Sequence, residues 1–469
     1  MTAIQSPDPL VMASAIAPLD LIAKYDRRLP RYTSYPSAPH FQPLSDDRLF
    51  RQWLAVLPSD APISLYLHIP FCNSLCWYCG CHTSVINRKE PVIEYAHSLI
   101  REIDLIGAAI GHRPHVRHLH WGGGTPTMIR APEMELIMAA LNRNFSLDLE
   151  LDHSIELDPR TLTDERALSL AELGINRASL GVQDFDPIVQ ESVNRTQSYG
   201  LVAAAVRLLR QAGIGTINFD LLYGLPFQSV QSVVDTVKRA ADLEPDRIAL
   251  FGYAHVPWMK RHQKLLPEAS LPGPNQRFLQ ANAAAEALTG RGYRRVGLDH
   301  FVLPHDPLSQ PNQGDRVTRN FQGYTNDNCS VLLGFGTSSI SQLPQGYIQN
   351  TTDNLVYRQR LSEGHLPCGR GLAFAGDDRL RGAVIERLMC DMEVDLAEVA
   401  RTYLQTPGIF ADQIRQIDEM TADGIVRRDG WRILVTESGR SFVRSIAALF
   451  DAYLAPADAD GAPRHSHSI

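Results

Sequence analysis

The chain has 469 residues, 44% hydrophobic and 21% charged, and 45 basic against 52 acidic side chains leave a net charge of −7. This composition excludes a largely disordered chain. The acidic balance argues against a general nucleic-acid-binding surface, and no apolar run reaches the ~18 residues of a membrane span. Length allows two or three domains at about 150 residues each. Seven cysteines are too few for a disulfide framework in a chain of this size. Four of them fall between Cys72 and Cys81, which points to a metal centre.

Residues 1–21 have no basic leader before their apolar stretch, and Pro18 and Asp20 interrupt it. A loose tail is expected there, not a secretory signal, and a cytoplasmic location for the chain. Lys24, Arg27, Arg28 and Arg31 then lie within eight positions, followed by Tyr32, Tyr35 and Pro36. From 63 to 257, apolar or β-branched runs predict strands at 63–71, 116–121, 154–157, 178–182, 216–222 and 247–253. Helical patterns fill the gaps. Met134, Ile137, Met138, Leu141 and Phe145 share one helical face. Thr163 is an expected N-cap and Gly174 an expected stop; Gly213 closes the helix starting near Leu201, and Val230, Val233, Val234 and Val237 mark the next.

Six βα units predict parallel strands covered by helices. The expected fold is α/β: a partial six-stranded (β/α)6 TIM-like barrel with a small, mostly α-helical C-terminal domain. Six units of such a barrel need about 190 residues, close to the span 64–257. A doubly wound open sheet is the competing architecture. The placement of reactive residues favours the barrel. Cys72 follows the first strand, Gly122, Gly123 and Gly124 the second, and Glu156 and Asp158 sit at the third. Gln183 follows the fourth, Asp220 is near the end of the fifth and His255 follows the sixth. Barrel active sites form at that C-terminal rim.

Residues 258–370 read as mixed and loop-rich. From 377 to 455 the texture is helical, with a hairpin over 425–435 around Asp429 and Gly430. Residues 455–469 are polar and small, an expected frayed tail. The expected division is an N-terminal extension at 1–55, a catalytic barrel core at 56–291, a barrel extension at 292–376 and a C-terminal helical domain at 377–469.

The cysteine segment reads Cys72-Asn-Ser-Leu-Cys76-Trp-Tyr-Cys79-Gly-Cys81. Thiolates suit zinc or iron–sulfur centres. A zinc knuckle completed by Cys81 is one reading. In the other, one loop wraps three corners of a cubane cluster and leaves its fourth iron open to bind a substrate or cofactor, whereas a cluster closed by four cysteines only passes electrons. The loop His120-Trp-Gly-Gly-Gly-Thr-Pro126 lets a backbone approach a ligand closely, or is simply a tight turn. It lacks the Lys-Ser/Thr of a phosphate loop, and the chain has no G-x-S-x-G partner for a lipase-type oxyanion loop. His68, His118 and His120 are read as structural, and Cys329, Cys368 and Cys390 as packing residues.

The C-x3-C-x2-C spacing, with Tyr78 before the third cysteine, resembles the signature of the radical S-adenosylmethionine enzymes. The adjoining Cys81, the preceding Tyr66-Leu-His-Ile-Pro-Phe and the upstream Arg31-Tyr-Thr-Ser-Tyr-Pro36 narrow it. Together they resemble the oxygen-independent coproporphyrinogen III oxidases from about residue 21 to 455, including Val384-Ile-Glu-Arg-Leu-Met-Cys390 and Phe450-Asp-Ala-Tyr453. A haem chaperone with the same three-cysteine core is the first alternative, disfavoured by Cys81 and the Arg-Tyr-Thr-Ser-Tyr-Pro start. A DNA-binding regulator is the second, from a likeness of the Arg427, Arg428 and Arg432 hairpin to a winged-helix wing.

The resemblance implies that Cys72, Cys76 and Cys79 hold a [4Fe–4S] cluster and that Cys81 is a non-ligating catalytic residue. It places Tyr66, Gly123 and Glu156 on a first S-adenosylmethionine. It places Tyr78, Gly124, Thr125, Gln183, Arg195, Asp220, Ala254 and Ile340 on a second. Trp77 keeps an aromatic face beside the cluster. The implied activity is that of an oxidoreductase of haem and porphyrin biosynthesis. Two propionates of coproporphyrinogen III are oxidatively decarboxylated to vinyl groups, giving protoporphyrinogen IX, by a 5′-deoxyadenosyl radical and with two S-adenosylmethionines consumed. An external one-electron reductant such as flavodoxin or ferredoxin is implied, with no nucleic-acid partner and a monomeric chain. The basic residues Lys24, Arg27, Arg28 and Arg31 are expected to hold propionates at the barrel mouth; the alternative is a solvated segment, with the carboxylate partners then sought around Arg294 and Arg295 or Arg316 and Arg319.

Overall fold

The computed structural model describes residues 19–309, 316–454 and 465–469. All six expected strands form: β1 Ile63–Ile69, β2 His115–Gly123, β3 Ser146–Leu157, β4 Arg177–Gln183, β5 Thr216–Tyr223 and β6 Arg247–Gly252. Each pairs in parallel with its predecessor in the chain. A doubly wound sheet reverses its strand order at a switch point. No reversal occurs between β1 and β6, so the strand order is that of a barrel wall.

The barrel is only partial. The sheet has thirteen strands and stays open. His300–Val302 and Arg294–Val296 extend the β6 edge in antiparallel fashion. Leu332–Phe335 pairs in parallel with β1, and four antiparallel strands follow, ending at Gln42–Pro43. The stretch 258–370, expected as mixed and loop-rich, thus supplies strands to both sides of the six parallel ones.

The connecting helices are α1 Glu90–Ile110, α2 Ala131–Asn144, α3 Asp164–Glu172, α4 Tyr199–Gln211 and α5 Val230–Ala241. Their starts follow from local chemistry. Thr163 caps α3 by accepting from Arg166 N, and Ser229 closes a capping box with Ser232 at α5. Gly174 and Gly213 end α3 and α4 at φ +84° and +94°, a backbone that costs a side-chain-bearing residue about 1 kcal/mol or more.

Alternation along the strands separates two environments. Leu119, Trp121, Ile155, Leu180, Phe219 and Ile248 point into the helix layer and are fully buried. Trp121 donates to His153 Nε2 at 2.9 Å, and burial holds that imidazole neutral by pushing it down to about 4. Trp121→Ala would cost about 3–5 kcal/mol. The other face carries His118, His120, Ser154, Glu156, Ser179, Asn218 and Asp220, which border a cavity of about 650 Å³. A closed eight-stranded barrel packs branched aliphatics there; this sheet instead presents a polar wall to a hollow.

A second apolar core joins the two ends of the described chain. Ile22, Tyr25, Tyr32 and Tyr35 pack with Val384, Leu388, Phe442 and Phe450. Residues 19–21, expected as loose tail, begin the helix Leu19–Tyr25. The expected hairpin is Val426–Asp429 with Arg432–Val435, and Glu393–Asp395 adds a third strand. Its Arg428 and Arg432 are committed to Asp418 and Glu393 at 2.7 and 2.5 Å, which leaves little free positive charge on the wing.

The tail also departs from expectation. Residues 455–464, like 1–18, lie outside the described residues. Residues 465–469 are docked: His467 bridges Arg28, Leu29 N donates to Ser466 O at 3.1 Å, and Ile469 is buried. Among the described residues no helix is long and apolar enough to cross a membrane.

Candidate active site

The cysteine loop leaves the end of β1. Phe71–Cys72 pairs with Ser84–Val85, which pins the base of a loop carrying Cys76, Cys79 and Cys81. All four cysteines are free of disulfides. Cys72 Sγ accepts from Thr83 Oγ1 at 3.2 Å and Thr125 Oγ1 at 3.6 Å. Cys76 Sγ accepts from Arg195 Nη1 at 3.4 Å and faces Arg160 Nη2 at 4.0 Å. Hydroxyls and guanidinium groups aimed at sulfur favour thiolates. Burial pushes the Cys72 thiol up, and its two threonine donors work against that. The hydrogen bond with Cys81 brings Cys79 down to about 7 and drives Cys81 well above its ordinary value. This donor set fits an iron–sulfur cluster held by Cys72, Cys76 and Cys79.

Neighbouring segments clamp the loop. Lys260 Nζ donates to Cys81 O at 2.9 Å and Gln263 Nε2 to Tyr78 O at 3.1 Å, while His262 Nε2 lies 2.7 Å from Cys79 O. Trp77 N donates to Val193 O at 3.0 Å. Trp77 and Tyr78 pack against a small core of Val189, Val193 and Leu225.

Glu156, near the end of β3, accepts from Gly123 N at 2.9 Å, and His120 Nε2 lies 3.3 Å from its other oxygen. Tyr66 stacks on His120 at 5.7 Å and hydrogen-bonds His68. The protein's own packing requires the glycines between these groups. A Cβ on Gly122 would meet Glu156 Oε1 at 2.7 Å, and one on Gly124 would meet Phe71 O at 2.5 Å. On β5, Asp220 accepts from Ser179 Oγ at 2.9 Å and Asn218 Nδ2 at 3.1 Å. Burial, reinforced by the charge of Glu156, pushes Asp220 up to about 6.

The expected site residues divide by position. Tyr78, Cys79, Cys81, Glu156, Gln183, Asp220 and Ala254 all border the 650 Å³ cavity. Tyr66 and Gly123 adjoin it through His120 and Glu156. Gln183 takes φ +67°, a strained backbone often found at functional positions. Six others do not border the cavity: Cys72 and Cys76, held on the loop as described, and four more. Gly124 and Thr125 lie on the Cys72 side of the loop, and Arg195 is buried behind it, donating to Gly181 O at 2.5 Å and pairing with Asp158 at 3.5 Å. Ile340 begins the strand Ile340–Leu343, which lies between Leu332–Phe335 and Gly346–Asn350, with its backbone against Gly334.

The four side chains of the basic run do not gather at one place. Lys24 is paired with Asp423, Arg27 is exposed, and Arg28 stacks over Trp258 at 4.6 Å. Among these four, Arg31 alone borders the cavity, donating to Gly252 O at 2.8 Å. Sequence reasoning missed His300, Phe321 and Gln322, which complete the far wall. Phe321 and Gln322 form the turn between Thr318–Asn320 and Gly323–Thr325, strands too short to show a period.

A barrel wall with three thiols at its C-terminal rim defines a class, and residues 66–240, β1 through most of α5, match the family model described as the Radical SAM superfamily. Over nearly the whole chain the similarity is more specific. The chain is 46% identical over 451 residues to the oxygen-independent coproporphyrinogen III oxidase of Bradyrhizobium diazoefficiens, covering 96% of this chain and 99% of that protein. It is 42% identical to the Paracoccus denitrificans oxidase of the same name, covering 93% and 96%. The solved structure of coproporphyrinogen III oxidase from Escherichia coli superposes with a TM-score of 0.86 at 36% identity, over 91% of this chain and 100% of that one. The chain belongs to the oxygen-independent coproporphyrinogen III oxidase family of radical S-adenosylmethionine enzymes, and is an oxidoreductase. Membership implies a [4Fe–4S] cluster and S-adenosylmethionine, which replaces the zinc-knuckle and DNA-binding readings.

Proposed function

We propose that this chain oxidatively decarboxylates two propionates of coproporphyrinogen III to vinyl groups, giving protoporphyrinogen IX, with one S-adenosylmethionine consumed per propionate. The observation that carries this is the gathering of the cysteine loop, Glu156 and Asp220 around one polar cavity of about 650 Å³, a size suited to a large ligand. Each propionate loses a hydrogen atom, CO2 and one electron, and the electron leaves to an acceptor outside the chain. Together the cluster and S-adenosylmethionine supply a carbon radical able to take a hydrogen from an unactivated C–H bond, which no side chain can do as an acid or base.

The chain's own residues bind and orient. Cys72, Cys76 and Cys79 hold the cluster. Tyr66, Gly123 and Glu156 would hold a first S-adenosylmethionine. Tyr78, Gly124, Thr125, Gln183, Arg195, Asp220, Ala254 and Ile340 hold a second. Cys81 stays unligated as a catalytic group. In this reading 56–291 is the catalytic core, flanked by units at 1–55, 292–376 and 377–469. The enzyme works as a cytoplasmic monomer fed by a flavodoxin or ferredoxin.

Anaerobic incubation of the reconstituted chain with reductant, S-adenosylmethionine and coproporphyrinogen III tests this. Protoporphyrinogen IX is expected, with two 5′-deoxyadenosines per product. A cluster-loaded enzyme that cleaves S-adenosylmethionine but forms no vinyl group overturns it.

A further inference from the structure

Five arginines from distant segments meet beside the main cavity. Arg31 follows the N-terminal helix, and Arg277 lies on Pro274–Thr289. Arg295 and Arg319 lie on the short strands Arg294–Val296 and Thr318–Asn320, and Arg444 on Val443–Ala447. Together they border a second cavity of about 60 Å³. Arg31, Gly252 and Tyr253 border both hollows, so the small one is an annex of the large one.

The charges in the annex do not balance. Among the described residues bordering it, five guanidinium groups face two anions, Asp299 and the terminal carboxylate of Ile469, which Arg277 Nε already meets at 3.0 Å. Asp299 already accepts from His300 Nδ1 at 2.8 Å and pairs with Arg319 at 3.6 Å. Burial, with the charge of neighbouring guanidinium groups, pushes Arg444 down to about 9 and Arg295 down to about 10, both still charged at neutral pH. Excess buried charge is costly unless an opposite charge completes it.

The hydrogen bonds show where the imbalance is open. Arg277 is committed to Tyr253 O at 2.9 Å and Ile469 O at 3.0 Å. Arg444 is committed to the carbonyls of Leu29, Pro30 and His467. Arg319 differs. Its side chain is 5% exposed, yet Nε has no hydrogen-bond partner among the described residues and Nη1 faces only Asp299, across 3.6 Å; Arg295 Nε likewise has no hydrogen-bond partner among the described residues. Tyr324 holds the Arg319 guanidinium from one face at 4.4 Å.

We propose that the annex is a carboxylate site in which Arg319, Arg295 and Arg31 bind a propionate that is not being oxidised, and so fix which propionate faces the cysteine loop. This rests on the proposed function and names the grip on its substrate. A cavity of about 60 Å³ is the share of two waters at ~30 Å³ each, room for a carboxylate head but not for the macrocycle. Arginine forks match a carboxylate in shape as well as charge.

Coproporphyrin III, the unreactive oxidised macrocycle with the same four propionates, serves as the binding probe, read by fluorescence on the cluster-loaded enzyme. Arg31→Gln, Arg295→Gln and Arg319→Gln are each expected to weaken binding by about tenfold to a hundredfold, the effect of one lost charged hydrogen bond. Arg319→Lys should recover part of the loss. Arg31 has one carbonyl contact and lies at the mouth, so Arg31→Gln tests the site even where Arg319→Gln fails to fold. Unchanged affinity in an Arg31→Gln enzyme with wild-type iron content and melting temperature overturns the annex. Two failures are separable. A wild-type enzyme that binds coproporphyrin III through these arginines but forms no vinyl product refutes the proposed function alone. Normal turnover with unchanged affinity in the variants refutes the annex alone.

Discussion

The cysteine loop and the arginine annex open on the same hollow but are assembled in opposite ways. Four cysteines within ten residues carry the loop's chemistry, and the nearby Thr83 and Thr125 tune Cys72. The annex draws its arginines from positions 31, 277, 295, 319 and 444, and each alone is an ordinary surface-type residue. The loop can be lost through one side chain, whereas the annex should weaken in steps. The difference separates the reaction, written locally, from the grip on substrate, written by the fold.

The largest effect expected tests the local half. Cys72→Ala, Cys76→Ala and Cys79→Ala should each abolish cluster assembly, measured as iron and acid-labile sulfide. Cys81→Ala should keep the cluster and lose product. Retention in the Cys79 variant with loss in the Cys81 variant would reverse those two assignments.

Asp220 comes next, because it belongs to neither half alone: a local strand residue whose charge depends on distant burial. Its carboxyl, pushed up to about 6, is more than half ionised only above that value. Binding of a second, cationic S-adenosylmethionine should therefore strengthen as pH rises through about 6. Asp220→Ala should reduce bound S-adenosylmethionine from two per chain to one in equilibrium dialysis and lose activity at least tenfold, with the cluster intact. Saturation of the wild type at one molecule sinks this assignment.

A smaller effect concerns the wall both halves share. Glu102 on α1 is buried and accepts from Gly336 N at 2.7 Å, Tyr357 OH at 2.6 Å and Asn350 Nδ2 at 2.5 Å, tying α1 to the β1 edge of the sheet. Burial raises its carboxyl from 4.5 to about 7, against those three donors. Between those values the folded chain keeps a proton that the unfolded chain has released. Stability from this group is thus present at low pH and is lost as pH climbs through about 7, by at most roughly 3 kcal/mol. Melting temperatures of wild type and Glu102→Gln from pH 5 to 8 check this, with a flatter profile expected for the variant. Parallel profiles would show that Glu102 ionises as it does in the unfolded chain.

How much of the molecule is legible in the sequence follows the same contrast. All six parallel strands, the Thr163 cap and the Gly174 stop are local signals, and all form. The sequence pattern marks only 154–157 of β3, which spans Ser146–Leu157, because its first half is solvated, with Leu149 fully exposed, and its register with β2 breaks between Val116 and His118. The flanking strands at 294–302 and 332–350 run three to five residues, too short for a period of two to stand out. Cysteine and glycine spacing locates the rim, but no local pattern says that Arg319 and Arg444 meet. Spacing also gives the wrong weight to Lys24, Arg27 and Arg28, because adjacency in the chain is not adjacency at the cavity.

That mismatch supplies the most discriminating small test, since it compares residues within one eight-residue stretch. Lys24 is half exposed and holds Asp423, and a solvated ion pair of this kind contributes little. Arg27 is exposed, and its backbone N–H donates to Ser468 Oγ at 3.1 Å. Arg28 lies over Trp258, a stacking contact worth about 0.5–1 kcal/mol at an exposed site. Only Arg31, itself exposed at the mouth, borders the cavity. Lys24→Ala, Arg27→Gln and Arg28→Gln should therefore leave the KM for coproporphyrinogen III within twofold of wild type, and Arg31→Gln should raise it about tenfold or more. If all four variants raise KM by similar small factors, the basic run acts as a diffuse field, whose influence salt would screen out beyond a Debye length of about 8 Å. A large change confined to Arg31, and insensitive to salt, is what a desolvated contact requires.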